Sequence, residues 1–277
     1  MTVLVTGATG NVGRRVVDRL LASGAEVRAL TRNPETAGLP AGVEVFGGGL
    51  GDAEPLREAL DGVDRVFLFP VPESTATFVE QAKAAGVRRV VLLSSLAVEF
   101  GEENAIGQRH RLIEQAIEDN GFEWTFVRPG AFATNALAWA ESIRSEGAVR
   151  EPFPGALQAP IHEDDIAAVA VTALLEDGHA GKAYPLTGPE LISLADQVRA
   201  IGDAIGRDVR FEEETPEQAK ARMVAQGTPE AIADTLVGYR ATAGQNPAPP
   251  VPTVQQVTGR QARTFPEWAA DHVGDFS

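Results

Sequence analysis

The 277-residue chain contains no cysteine, which excludes a disulfide framework, a thiolate nucleophile and a cysteine-based zinc site. No apolar run reaches the length of a membrane span, and the amino terminus enters a predicted strand at once, without a charged leader and apolar signal core. Secretion and membrane insertion are therefore not expected, and a reducing, cytoplasmic location is. Positive charge is scarce: 24 Lys and Arg stand against 39 Asp and Glu, a formal charge of −15. Such a surface repels nucleic-acid phosphates, and Arg88-Arg89 is too small a basic cluster to reverse that. Tyrosine and lysine are rarer still, limited to Tyr184, Tyr239, Lys83, Lys182 and Lys220. The residues four places after the tyrosines are Gly188 and Ala243. No Tyr–Lys pair of one helical turn, in which an ammonium lowers a phenol pKa, can be formed.

What is present starts at the amino terminus. Val3-Leu4-Val5 reads as a buried strand, and Arg14 to Ala22 carries Val16, Val17, Leu20 and Leu21 at helical spacing. Between them runs Thr6-Gly7-Ala8-Thr9-Gly10-Asn11-Val12-Gly13. In a strand-turn-helix, Gly7 permits a tight turn, Gly10 lets the backbone approach phosphate oxygens, and Gly13 lets the helix lie close to the strand. The predicted cofactor contacts in this loop are Gly7, Thr9, Gly10, Asn11, Val12 and Gly13, with the pyrophosphate on the helix N-terminus. An ordinary Gly-rich turn without a ligand is the alternative. At the end of the second strand stands Arg32, where an acidic residue would bind a ribose 2′-hydroxyl. A guanidinium there pairs with a 2′-phosphate and stacks on adenine, favouring NADP over NAD, unless Arg32 is simply a solvated turn residue.

Strands over 2–6, 26–31, 43–47, 65–69, 89–94 and 124–128 alternate with helices over 12–22, 53–60, 74–85, 106–120 and 131–146. Gly24, Gly62, Gly86 and Gly121 stand at helix stops. The rhythm predicts an α/β fold, a doubly wound parallel Rossmann sheet with a smaller, mainly C-terminal substrate lobe. The expected division is 1–150 for the nucleotide-binding domain, which also uses helix 164–175, and 151–277 for the lobe. Within the lobe, 209–212 is strand-like, 245–252 with its prolines is a connector, and 266–273 is a short terminal helix. Glu212-Glu213-Glu214 reads as a solvated approach to a helix capped by Thr215.

These motifs resemble the extended, atypical short-chain reductases of the NmrA-like, triphenylmethane-reductase and quinone-oxidoreductase-2 type, which are also related to isoflavone reductases. The resemblance spans nearly the whole chain. It is carried by the glycine loop, Arg32-Asn33-Pro34, Leu60-Asp61-Gly62-Val63-Asp64, Ser94-Ser95, Trp124-Thr125-Phe126-Val127-Arg128-Pro129-Gly130, His162-Glu163-Asp164-Asp165-Ile166-Ala167 and Thr258-Gly259-Arg260-Gln261-Ala262-Arg263-Thr264-Phe265. One departure is Gly48-Gly49-Leu50, where relatives carry Gly-Asp-Leu with the Asp near the adenine amino group. Adenine recognition then falls to backbone near Leu50 and to Arg32.

The resemblance implies a reductase whose helix after Ser94-Ser95 carries His110 as proton donor and Glu114 as its orienting partner or a ribose contact. A surface pair at i,i+4 is the alternative. Ser94 would bind substrate or nicotinamide ribose, or else cap its loop. Phe69 and Pro70 would pass beside a ribose, and Pro129 and Gly130 would meet the carboxamide. Phe132, Asn135 and His162 would line the substrate cleft. Trp139, Phe153 and Trp268 either add aromatic lining or belong to the core. Asp164 or Asp165 reads as the cap of its helix, and no structural zinc is expected.

The expected activity is NADP-dependent reduction of a small conjugated or aromatic acceptor, a quinone, enone, imine or carbonyl. A redox sensor that binds NADP without turnover, or a non-redox isomerase or dehydratase, are the alternatives. A small-molecule substrate, no nucleic-acid or membrane partner, and a monomer or homodimer are expected.

Overall fold

The computed structural model describes residues 1–101 and 104–277. Strand β1 (Thr2–Thr6) leads into helix α1 (Asn11–Ala22), then β2 (Glu26–Thr31), β3 (Val43–Gly47), α2 (Ala53–Leu60) and β4 (Arg65–Leu68). Next come α3 (Thr75–Ala84), β5 (Arg89–Leu93), α4 (Ala105–Glu118) and β6 (Glu123–Pro129). The predicted helix stops Gly24, Gly62, Gly86 and Gly121 all take positive φ, between 71° and 78°, a conformation open to glycine at no steric cost.

The sheet order is β3-β2-β1-β4-β5-β6, all parallel. Each strand is covered on both faces, so successive side chains enter different cores. Val3 and Val5 of β1 face α1, whereas Leu4 packs with Leu56, Leu60 and Phe78 on the other side. The chain leaves β1 toward β2 and β3, then returns to place β4 on the opposite flank. The carboxyl ends of β1 and β4 thus bracket the switch point where open α/β sheets bind ligands.

The expected helix over 131–146 is divided. A 3-10 segment, Ala133–Trp139, precedes α5 (Ala140–Glu146). The amide of Ala133 donates to Ile161 O and that of Ile161 to Ala131 O, tying the start of this segment to a neighbouring stretch and tightening it. Then follow β7 (Ala148–Glu151), β8 (Leu157–Gln158), α6 (Glu163–Leu175) and β9 (Lys182–Leu186). Strand β9 is a seventh, parallel member of the main sheet beside β6, which the sequence reading missed. The remainder is β10 (Ile192–Ser193), α7 (Leu194–Ile205), β11 (Arg210–Glu213), α8 (Pro216–Ala225), α9 (Glu230–Gln245), α10 (Thr253–Thr258), α11 (Phe265–Asp271) and α12 (Val273–Phe276). Thr215 does cap α8, in a reciprocal capping box with Gln218.

A third core joins Ala136, Trp139 and Ile143 to Val149, Val198, Ile201, Phe265, Trp268 and Phe276. Trp139, Trp268 and the partly buried Phe153 are therefore core residues. This core begins before residue 150, while β9 and α6 serve the sheet.

The last helices are pinned to α6 by a buried polar cluster. Glu163, 2% exposed, accepts from the Trp268 indole at 3.1 Å and lies 2.8 Å from His272 Nε2. His272 stacks on Trp268 and reaches Asp275 through Nδ1 at 2.7 Å. Burial alone would raise the Glu163 carboxyl, but the His162 and His272 rings beside it outweigh that and hold it far below its usual range. The hydrogen bond to Glu163, supported by Asp275, raises His272 against the opposing effect of burial. A raised histidine stabilises the fold fully below its unfolded value of about 6.5 and loses that contribution as pH rises through the folded value. The melting temperature is expected to fall on the alkaline side of pH 6.5. In His272→Gln that part of the fall should disappear, which thermal melts across pH 6 to 9 would check.

Candidate functional site

The glycine loop closes on itself at the carboxyl end of β1. Gly7 has φ +63°, and the amide of Gly10 donates to Gly7 O at 3.0 Å. A Cβ on Gly13 would stand 2.1 Å from Gly7 O and 3.0 Å from Ala8 Cα, so only glycine allows α1 to lie this close to β1. At Gly10 the only such neighbour is Gly7 O at 3.4 Å, which leaves that side of the loop clear of protein. Thr9, Gly10 and Asn11 are exposed, while Val12 and Gly13 are buried against the sheet. Helix α1 has no side-chain cap and no acidic residue in its first turn. Its orphan amides and the positive end of its dipole face a space suited to an anion.

Thr6 joins the two strands that flank this space. Its hydroxyl donates to Phe67 O at 3.2 Å and accepts from the amide of Phe69 at 2.7 Å. The Phe69 ring lies over Gly7, where an added Cβ would be 2.9 Å from its Cγ, yet the residue stays 43% exposed. Pro70 follows, half-buried. Arg14 fastens the opposite rim through Gly38 O and Ala37 O, at 2.7 and 2.9 Å. The roles of Thr6 and Arg14 escaped the sequence reading; a hydroxyl residue closing an apolar strand was the available signal for Thr6. Arg32 is exposed and makes no hydrogen bond or ion pair among the described residues. Leu50 is buried with the α2 and α3 core.

The acid–base candidates separate. Ser94, 2% exposed, donates to Glu114 Oε1 at 2.7 Å. Glu114, fully buried, also receives Arg128 bidentately, Nε to Oε1 and Nη2 to Oε2 both at 2.8 Å, and Arg111 at 3.2 Å. A buried carboxylate must be paired, and this one has partners from the residue after β5, from β6 and from its own helix. Glu114 hydrogen-bonds Ser94 and Arg128, and its charge also reaches His110 on the same helix. Ser95 caps the following 3-10 turn Leu96–Glu99 by accepting from Ala97 N.

His110 lies on the same face of α4 between two fixed points. One turn before it, a Cβ on Gly107 would meet Ala97 O at 2.3 Å, so helix and turn are in backbone contact. One turn after it comes the Glu114 clamp. His110 Nδ1 is buried without a hydrogen-bond partner. Burial lowers this imidazole, with Glu114 pulling it upward and Arg109 further down.

The Gly130 amide donates to Leu186 O at 2.9 Å, and Pro129 is buried in β6 opposite Leu186, so a backbone contact to a carboxamide here would fall to their carbonyls. Phe132 packs half-buried against the sheet core and Asn135 is exposed. His162, 2% exposed, is the N-cap of α6: Nδ1 accepts from Asp164 N at 3.1 Å and Nε2 faces Asp271. It belongs to the interlobe cluster, not to a substrate cleft. Asp164 binds Arg19 and Arg263, and Asp165 binds Arg263, so neither serves as the cap.

A family model for NAD(P)H-binding domains matches residues 7–177, more than half of the chain. The chain belongs to the NAD(P)H-binding, NmrA-like short-chain reductases. Across 99% of both chains it is 43% identical to a (4-alkanoyl-5-oxo-2,5-dihydrofuran-3-yl)methyl phosphate reductase of Streptomyces griseus. It is 38% identical, over 99% of both, to an NAD(P)H azoreductase of Xenophilus azovorans. The crystal structure of an NADPH-dependent quinone oxidoreductase of Escherichia coli superposes with a TM-score of 0.81 at 26% identity, covering 97% of this chain and 98% of that one. This NmrA-like reductase is thus an NAD(P)H-dependent oxidoreductase, and its loop, uncapped helix and free Arg32 fit the dinucleotide. Gly13→Ala should weaken NADPH binding at least tenfold by protein-fluorescence titration and cost about 1–3 kcal/mol in urea denaturation, since the new methyl meets backbone.

Proposed function

We propose that the protein reduces a small conjugated or aromatic acceptor at the expense of NADPH, on a site with very little acid–base machinery. The observation that carries this reading is the state of α4. Ser94 and Arg128 are both engaged by Glu114, and the buried side-chain atom of α4 left without a hydrogen-bond partner among the described residues is His110 Nδ1. A site equipped in this way suits acceptors that take hydride readily, such as quinones, enones, imines and azo compounds. The names of the relatives point the same way: one acts on an unsaturated acyl-lactone, another on azo compounds, a third on quinones.

When bound, the dinucleotide supplies a hydride. The protein's part is to hold it and to manage one proton. The α1 amides take the pyrophosphate, and Arg32 takes the 2′-phosphate and selects NADPH over NADH. The Phe69 ring bounds the cleft at the switch point. His110, protonated, gives its proton to the reduced acceptor, at the heteroatom or at the carbon next to the carbonyl. Since burial lowers His110, the protonated donor is abundant only on the acid side of its ordinary value.

NADPH consumption measured with a panel of quinones, enones, cationic dyes and an acyl-butenolide tests the reading. Acceptor-dependent consumption is expected; tight NADPH binding with no consumption across the panel would instead indicate a redox sensor. For His110→Ala, kcat should fall about a hundredfold while the NADPH Kd stays unchanged. In the wild type kcat should decline as pH rises through the lowered His110 value, and the variant should lose that limb. Separately, Arg32→Glu should reduce the NADPH over NADH preference about tenfold or more; an unaltered ratio would place 2′-phosphate recognition elsewhere.

A further inference from the structure

The segment following β3 holds a carboxylate in an unusual place. Gly49 leaves its own side-chain position empty, and Asp52 fills the neighbourhood: its Oδ2 accepts from the Gly49 amide at 2.8 Å. A Cβ built on Gly49 would stand 3.4 Å from that same oxygen and 3.9 Å from Arg32 Cγ. The Asp52 carboxylate therefore sits over residue 49, beside the stem of the arginine assigned to the 2′-phosphate. Asp52 is the N-cap residue of α2, but its side chain caps no amide of that helix. It forms no ion pair among the described residues, and its second oxygen, Oδ1, has no partner there. Asp52 is exposed, on the same rim as the exposed Arg32.

We infer that Asp52 recognises the adenine 6-amino group of the bound dinucleotide, in place of a side chain at position 49. The inference rests on the dinucleotide reading of the site. In a Rossmann fold the adenosine lies across the carboxyl ends of the strands beside β1, where Arg32 directly follows β2 and Gly49 stands two residues past the end of β3. An adenine amino group is a pure donor and needs an acceptor at that rim. Oδ2 is held by the Gly49 amide, which fixes the carboxylate plane and leaves Oδ1 as the acceptor that can face a base. The geometry also explains why glycine suits position 49: a carboxylate there would stand against the Asp52 charge.

The fixed amide makes a donor–acceptor exchange possible. In Asp52→Asn, the Gly49 N–H still requires an acceptor, so the amide oxygen takes the Oδ2 place and the NH2 faces the base. A donor there rejects the 6-amino group and suits the 6-oxo group of hypoxanthine. The test is a fluorescence titration of wild type and Asp52→Asn with NADPH and with its reduced hypoxanthine analogue. Wild type should prefer NADPH about tenfold, and Asp52→Asn should reverse that order. Equal preference for NADPH in both proteins, or none in wild type, would overturn the assignment. Failure of wild type to bind either nucleotide would instead remove the dinucleotide reading itself, a distinct result. Circular dichroism and melting of Asp52→Asn, expected to match wild type, separate base recognition from local unfolding.

Discussion

The fully buried carboxylate of Glu114 is the constraint on which the reactive end of the molecule depends. Removing a charge from water costs several kcal/mol unless it is paired, and here the pairing draws on three elements at once. Ser94 brings the residue after β5, Arg128 brings β6, and Arg111 brings the preceding turn of α4. Arg128 extends the network to Glu99 at the end of the turn that follows β5. Satisfying one carboxylate thus sets how α4 lies against the strand ends. The backbone contact between Gly107 and Ala97 sets the same helix about two turns earlier. His110 is held between the two.

The nucleotide end is governed by a different balance. A chain with a charge of −15 must hold a polyanionic cofactor. It does so locally, by omitting charge as much as by supplying it. Helix α1 begins without acids, whereas α6 begins with Glu163, Asp164 and Asp165, each committed to Arg, His or Trp partners. Arg32 adds formal positive charge just past β2, where it forms no ion pair among the described residues. Long-range repulsion is screened within about 10 Å at ordinary ionic strength, so these short-range groups decide binding.

Much of this was legible in the sequence, and the limits were physical. Local signals succeeded: the glycine spacing, the apolar alternation of β1 to β6, the stops at Gly24, Gly62, Gly86 and Gly121, and the Thr215 cap each depend on residues a few places apart. Long-range pairing failed. Ser94 and Glu114 read as separate candidates, and Arg128 only as part of a motif, because nothing in the spacing shows that one carboxylate will bind both of the others. His162 looked like a cleft residue because its Asp271 and His272 neighbours are more than a hundred positions away. Strand β9 was missed because Lys182-Ala183-Tyr184-Pro185-Leu186 is short, half-polar and carries a proline. Its strand character comes from pairing with β6, not from its own composition.

That proline has a consequence for how the sheet ends. Until residues 182–186 have been made and docked, β6 presents an open edge of apolar backbone, the kind of surface that recruits strands from other chains. Once β9 seats against β6 it becomes the outermost strand, and Pro185 brings no amide hydrogen to it. A further strand arriving at that flank finds a gap in the donor row and the charge of Lys182 at its start. The same five residues that complete the sheet therefore also end its growth.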